Sequence, residues 1–451
     1  MRLTLIHPCI GRRRGQRYIR SWQMEPLPPA TIAGLTPPDV DVRFYDDRME
    51  QIPFDEPTDL VAISVETYTA KRAYQIASEY RRRRVPVVMG GFHPSLCPDE
   101  VANYAESVVV GEAEGIWPRL VDDFRHGRME PMYRAERRPS LASVRPDRRI
   151  FRGKRYLPIG LVEAGRGCHF KCDFCAVQAM FNSTQTRRPL DRVLEEIASI
   201  RDHRKLFFFV DDNITSNLAE AKAFLRALAP LKIRWVSQSS INAAHDEEFL
   251  SLLVASGCQG VLIGFESLDP KALAAMNKSF NGMRGGYEVA LANLRRYKLR
   301  LYATFIFGYD ADTAHSFRRA VAFAMEHRFY IAAFNHLTPF PGTPLYARLS
   351  AERRLLFERW WLDEQYQYNM VPFQPASMTP AVLQRHCLDA RREFYSWSSI
   401  VSRGVDPVNR ADAFMFRNFF PINTMLRVDT NRRDGYPLGD ESWQGQLLRV
   451  H

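Results

Sequence analysis

Several features that would send a chain to a membrane or out of the cell are missing from these 451 residues. No apolar run approaches the roughly 18 to 20 residues that a spanning helix needs, so no membrane partner is expected. The apolar stretch at residues 3–6 is brief, and the basic cluster Arg12-Arg13-Arg14 follows it instead of preceding it, the wrong order for a secretory leader. A cytoplasmic location is expected. Cysteine is scarce: of seven, Cys9, Cys97, Cys258 and Cys387 are scattered and the other three fall within residues 168–175. An odd, clustered set argues against a disulfide framework and for metal or redox chemistry. No aromatic stacking motif accompanies the basic clusters. The net charge of +11, spread among 51 acidic residues, therefore does not single out nucleic acid as a substrate; a site for an anionic small molecule accounts for it equally.

What is present has the balance of a globular protein, 46% hydrophobic and 25% charged, at a length that predicts two to three domains. Residues 1–127 alternate strands (2–7, 40–45, 60–65, 85–89, 107–110) with helices (74–83, 117–124), the pattern of a Rossmann-like parallel sheet covered on both faces. Its strand ends carry Asp46, Glu66, Gly90, Gly91, His93 and Gly111, an array suited to a polar ligand with an edge that hugs the backbone. Residues 128–157, rich in Arg and Pro, read as a linker. Six further strands (161–164, 206–210, 233–238, 260–265, 301–307, 330–337) separated by helical stretches predict a partial (β/α)6 barrel over 158–350, with its chemistry at the strands' carboxyl ends. Residues 351–451, with Trp360, Trp361, Tyr366, Tyr368 and Trp397, read as a mostly helical C-terminal cap. The fold class is α/β.

The informative segment is Gly165-Arg166-Gly167-Cys168-His169-Phe170-Lys171-Cys172-Asp173-Phe174-Cys175. Three thiolates spaced this way on a loop can bind three irons of a cubane cluster and leave the fourth iron open. Gly165 and Gly167 let the loop turn tightly. The alternative is a zinc site, which needs a fourth ligand from His169 or a distant residue.

Cys-x3-Cys-x-aromatic-Cys after the first strand of a (β/α) barrel is the signature of radical S-adenosylmethionine (SAM) enzymes, and residues 158–350 resemble that family. The resemblance implies a [4Fe–4S] cluster on Cys168, Cys172 and Cys175 whose open iron binds the amino and carboxylate groups of SAM. It also implies SAM-holding groups at the later strand ends: Asp211 and Asp212, whose acidity suits an ammonium, Gln238 and Ser239, Glu266, Gly308 and Thr338. Asp212 or Asn213 could instead cap a helix, and a buried Glu266 would be costly without a partner. A reducing partner such as flavodoxin or ferredoxin is implied too. Of the remaining cysteines, Cys258 reads as a small core residue.

Gly90-Gly91-Phe92-His93-Pro94, Val110-Gly111-Glu112-Ala113-Glu114-Gly115 and Trp117 resemble segments of the cobalamin-binding class of the same superfamily. The Asp-x-His-x-x-Gly motif that supplies an axial histidine elsewhere is absent; Asp46-Asp47-Arg48-Met49-Glu50 stands near that place. With cobalamin, the resemblance implies radical methyl transfer to a small-molecule substrate that consumes two SAM molecules. Without it, transfer of a 3-amino-3-carboxypropyl group, as in the arsinothricin-forming enzyme, or a radical rearrangement stays open. The non-enzymatic alternative is an iron–sulfur or cobalamin sensor.

Overall fold

The computed structural model describes residues 1–16, 18, 22–282 and 286–450. The N-terminal sheet contains β1 (Arg2–His7), β2 (Asp41–Asp46), β3 (Leu60–Ser64), β4 (Val87–Gly90), β5 (Ser107–Val110) and β6 (Met132–Arg134). All pairings are parallel, in the order β2-β1-β3-β4-β5-β6. The sixth strand lies inside the stretch that reads as a linker. Strand alternation sends neighbouring side chains to opposite faces. Leu3, Leu5, Val88 and Val109 pack under the helices Leu27–Leu35 and Trp117–Arg125, while Ile6, Val87, Met89 and Val108 pack under Ala70–Arg82. The chain runs outward in two directions from β1 and β3, and the crevice between their carboxyl ends is the place where such sheets bind ligands.

The second sheet runs β7 (Ile159–Val162), β8 (Leu206–Phe209), β9 (Trp235–Ser239), β10 (Cys258–Glu266), β11 (Arg300–Phe307) and β12 (Ile331–His336) in sequential parallel order. On β11 alternate residues, Leu301, Ala303, Phe305 and Phe307, are buried under the outer helices, leaving Tyr302, Thr304 and Ile306 half-buried on the other side. The register slips between Gly264 and Glu266. Such bulges are common where a strand must re-aim a side chain.

The C-terminal region does more than cap the barrel. Trp360, Trp361 and Tyr366 enter the core of the N-terminal domain, and Gly439–Asp440 pairs in parallel with Gly11–Arg12. Helices Pro380–Phe394, Trp397–Gly404 and Ala413–Arg432 close the barrel's edge and foot. Arg403 is wholly buried there; its guanidinium lies 3.8 Å from the centroid of Phe394 and donates to the carbonyls of Phe329, Tyr330 and Phe394. With no carboxylate among these partners, burial pulls its pKa down to about 10.

Candidate active site

After β7 the chain forms a short antiparallel pair, Gly165–Gly167 with Gln185–Arg187, and then the cysteine loop. Gly167 has φ +91°, and a β-carbon on it would lie 2.1 Å from the carbonyl oxygen of Thr184, so only glycine fits. The loop is tied down on several sides. Phe170 stacks on Phe280 with centroids 4.1 Å apart, Asp173 N–H donates to the Met276 carbonyl at 3.2 Å, and the Tyr309 hydroxyl donates to the Asp173 carboxylate. His169 is exposed, with its backbone N–H and its ring both on the Ser216 hydroxyl, at 2.9 and 2.8 Å.

The three thiols face one region but do not close on one point: among the described residues no group of three His, Cys, Asp or Glu side chains is placed to share a single metal ion. Ligands of a cubane sit on three different irons and need not share one point. Burial pushes the Cys172 thiol up to about 12, against the opposing pull of the Lys278 ammonium. Burial also raises Cys175, against the amides of Gln178 and Val177 at the start of the helix Ala176–Phe181. Cys168 Sγ lies 3.6 Å from the Asn213 side-chain amide, which also donates to Ser240 at 2.7 Å.

The expected strand-end residues divide sharply. Asp211 and Asp212 each accept a hydrogen bond from the loop's backbone. Asp211 accepts from Ala164 N–H at 2.8 Å and Asp212 from Gly167 N–H at 2.7 Å. Burial raises their carboxyls to about 7 and about 6. Gln238 donates to the Asp211 carbonyl at 3.3 Å. Ser239 is buried against Thr215, 3.2 Å away, and the next residue, Ser240, is the one that reaches Asn213.

Glu266 sits at the bulge with φ +60°, a rare conformation for a residue other than glycine and one that concentrates at functional sites. Its partner is Lys278 at 2.6 Å. The pair lies over Gly264, where a β-carbon would be 2.0 Å from Glu266 Oε1 and 2.8 Å from Lys278 Nζ. Lys278 and Asn213 are the residues that sequence reasoning left out of the site; Asp211-Asp212-Asn213 drew attention to its acids, and Lys278 carries no local signal.

Gly308 proves to be a turn glycine: φ is +118°, its N–H donates to Asp312 at 2.9 Å, and a β-carbon would meet Leu383 and Phe373 at 2.9 and 3.0 Å. Thr338 stands 3.5 Å from the hydroxyl of Tyr68, a residue of the N-terminal domain, within an aromatic group that includes Phe340, Trp360 and Tyr368.

Between the domains lies a cavity of about 330 Å³ at the carboxyl ends of β1, β3, β4 and β5. Glu66, Gly90, Gly91 and Gly111 line it, whereas Asp46 and His93 do not. Asp46 is buried beside Arg48 and the Tyr156 hydroxyl, at 2.7 and 2.8 Å. His93 is buried in a network with Tyr74, 3.2 Å away, and Glu100, 3.1 Å away, the latter also bound by Trp361. The backbone requires glycine at 91: φ is +113°, and a β-carbon would lie 2.8 Å from the Val65 carbonyl oxygen. The Glu66 side chain is exposed to the cavity, whose walls desolvate its carboxyl and raise it.

The barrel's side of the cavity is formed by Glu163, Arg166, Phe181 and Asp212. Arg166, from the cysteine-loop segment, pairs with Glu163 at 2.6 Å and with Glu114 and Glu112 of the N-terminal domain at 2.8 and 3.3 Å. Arg138 binds Glu112 at 2.7 Å and the Thr184 carbonyl at 3.1 Å. One ionic group thus joins the cavity wall to the loop.

Comparison with known proteins agrees with this geometry. A model of the radical SAM superfamily matches residues 162–324. The chain is 32% identical over 389 residues to the bacteriochlorophyllide d C-12(1)-methyltransferase of Chlorobaculum tepidum, covering 84% of each chain. It is 29% identical over 393 residues to the C-8(2)-methyltransferase of the same organism, covering 82% of this chain and 86% of that one. Its fold is similar to that of TsrM from Kitasatospora setae, a radical S-adenosylmethionine methyltransferase solved with cobalamin and a [4Fe–4S] cluster bound. The TM-score is 0.63 over 96% of this chain and 99% of that one, at 17% identity.

Proposed function

The chain belongs to the radical SAM superfamily, as an enzyme related to methyltransferases, and we propose that it transfers a methyl group to an unreactive centre of a small molecule with the help of cobalamin. The observation that supports this reading is the junction of the cysteine loop with the interdomain cavity: Arg166 of the loop segment lines the cavity, and Asp212, also on its wall, accepts from Gly167 N–H of the loop. When bound, the cluster supplies the electron that cleaves SAM, and cobalamin carries the methyl group between SAM and substrate.

The residues present fit these groups. Cys168, Cys172 and Cys175 would hold the cluster, with Asn213 beside the first thiol and the Lys278 ammonium acting on the second. A cationic neighbour favours thiolate over thiol. Glu266, held by Lys278 and approached by the Thr304 hydroxyl at 3.4 Å, offers a carboxylate to SAM. Glu66, Glu112 and Glu114 would accept from the amide side chains of a corrin. Glu114 Oε2 is buried without a hydrogen-bond partner among the described residues, an acceptor that a donor could satisfy. Among the described residues no histidine lines the cavity.

For the substrate we infer an apolar ring system. The relatives are named for bacteriochlorophyllide d, and Tyr68, Phe340 and Tyr368 gather beside Thr338 just beyond β12. Anaerobic reconstitution with and without hydroxocobalamin tests the reading. Cobalamin should persist through gel filtration, and turnover should yield both S-adenosylhomocysteine and 5′-deoxyadenosine. Methylthioadenosine as the main SAM product, or full turnover without cobalamin, would overturn it.

A further inference from the structure

The foot of the barrel carries a surface that the chemistry at its top does not use. Helices Trp397–Gly404 and Ala413–Arg432 pack beneath the amino-terminal ends of the strands: Tyr330 meets Phe419 with ring centroids 5.0 Å apart, and Arg300 Nε donates to the Asn409 carbonyl at 3.4 Å. Ile400, Arg403, Met415 and Phe419 form their buried side. Their outer side is apolar as well. Trp397, Val401 and Val405 recur every four residues on one stripe and are 53%, 53% and 57% exposed. Phe416 and Phe420, each 36% exposed, make a second stripe. The stripes join where the helices cross: a β-carbon on Gly404 would lie 2.7 Å from the Phe420 ring. Contiguous exposed apolar surface of this kind marks an interaction site, whereas isolated exposed side chains do not.

The exposed charges within the span 397–433 are basic. Arg410, Arg417 and Arg432 are exposed, and the Arg427 guanidinium lies 5.4 Å from the Trp397 ring centroid. In the span 397–433 the acids are Asp406, Asp412 and Asp429. The first and last are buried, and Asp412 is occupied in capping Met415 N–H at 2.8 Å.

We propose that this face docks the enzyme on an anionic bilayer surface. Trp397, Val401, Val405 and the two phenylalanines enter the boundary between headgroups and acyl chains, and the arginines lie on the phosphates. Aromatic and aliphatic side chains flanked by arginine are the composition of interfacial helices. A second copy of the chain fits less well: a two-fold contact would bring the same arginines together, with no exposed carboxylate in the span to answer them. No helix among the described residues is long and apolar enough to cross a membrane, so the association is peripheral. Docking at the foot leaves the cysteine loop and the cavity free at the opposite end of the strands.

Co-sedimentation of the full-length protein with vesicles tests the proposal. Binding to mixed phosphatidylcholine–phosphatidylglycerol vesicles is expected, with little to phosphatidylcholine alone. Raising salt from about 0.15 M to about 1 M shortens the screening length from about 8 Å to about 3 Å and should weaken binding roughly tenfold. Trp397→Ser with Val401→Ser should lower the affinity for anionic vesicles by roughly tenfold or more, and Arg410→Glu with Arg417→Glu by a similar factor. Both double variants change only exposed side chains, so their circular dichroism and Tm should match the parent. Parent protein that stays in the supernatant with anionic vesicles overturns the proposal. So does a dimer in sedimentation velocity that the Trp397→Ser, Val401→Ser variant converts to monomer, since that assigns the face to a second copy.

Discussion

Asp46-Asp47 closes β2 of the N-terminal sheet, and Asp211-Asp212 follows β8 of the barrel; each is a pair of acids at a strand's carboxyl end, in opposite electrostatic surroundings. In the first pair burial alone would raise both carboxyls, but guanidinium contacts outweigh it and hold them below the usual range. Arg48 binds Asp46 at 2.7 Å, and Asp47 is gripped by Arg72 at 2.9 Å on both oxygens and by Arg12 at 2.6 Å. In the second pair burial wins. Arg187 comes no nearer to Asp211 than 3.9 Å, and the acids' hydrogen bonds go to the backbone of the cysteine loop. The N-terminal pair joins elements of the fold. The barrel pair stays under-compensated to hold a loop in place, the kind of perturbation that gathers around functional sites.

The comparison breaks most completely if that loop is not a cluster site. Replacing Cys168, Cys172 and Cys175 together by Ala should abolish the expected complement of about four irons per chain after reconstitution, while Cys258→Ala and Cys387→Ala should retain it. Iron analysis and electron paramagnetic resonance of the reduced protein read the result, and a cubane in the triple variant would sink the assignment.

The next largest effect belongs to the paired acids. Asp47→Ala leaves the buried Arg72 guanidinium without its bidentate partner, and loss of one partner of a buried pair typically costs about 3–5 kcal/mol. Urea unfolding should show it; a loss below about 1 kcal/mol would place this pair with exposed ones.

Dependence on pH should separate the two pairs by sign. A carboxyl held low in the folded state adds stability above its unfolded value near 3.9, and that stability is lost as pH falls through the folded value. A carboxyl held high does the reverse: the folded state keeps its proton over the interval up to the folded value, about 7 for Asp211, and stability declines as pH rises through it. Asp211→Asn, neutral throughout, should therefore be more stable than the parent at pH 8 by on the order of 2–4 kcal/mol, with the gap closing toward pH 4. Thermal unfolding across that range checks it, and a gap that widens on acidification would reverse the reading of Asp211.

The smallest effect concerns the acid that does have a partner inside the barrel. Glu266→Gln keeps the shape beside Lys278 and removes the charge. SAM affinity should fall by the worth of a charge-assisted bond, about 1.5–3 kcal/mol, with iron content unchanged. Calorimetry that finds unaltered SAM affinity would make the Glu266–Lys278 pair purely structural.

Much of this architecture was legible in the chain because it rests on local pattern. The strand runs near 60–64, 107–110 and 300–307 stand out as apolar segments bounded by turns. The cysteine spacing also predicts its own loop, since three thiols within eight residues share one turn whatever surrounds them. The strand at Met132–Arg134 was hidden, being three residues long with its pairing supplied wholly by β5. His93 and Asp46 carry the residue types of a ligand site, yet their partners, Glu100 and Trp361 for one and Arg48 and Tyr156 for the other, turn them into the core.

The sequence by itself determined most of the element order, the two parallel sheets and the three thiols, because side-chain periodicity and short-range spacing act through the chain's own geometry. Only the tertiary structure decided which acids are neutralised, why Glu266 can be buried and what Gly264 makes room for. It also decided that Arg166 joins a cavity to a loop and that two helical stripes merge at Gly404. Charge compensation and close packing depend on distances between residues far apart in the chain. Those distances exist only once the chain has folded.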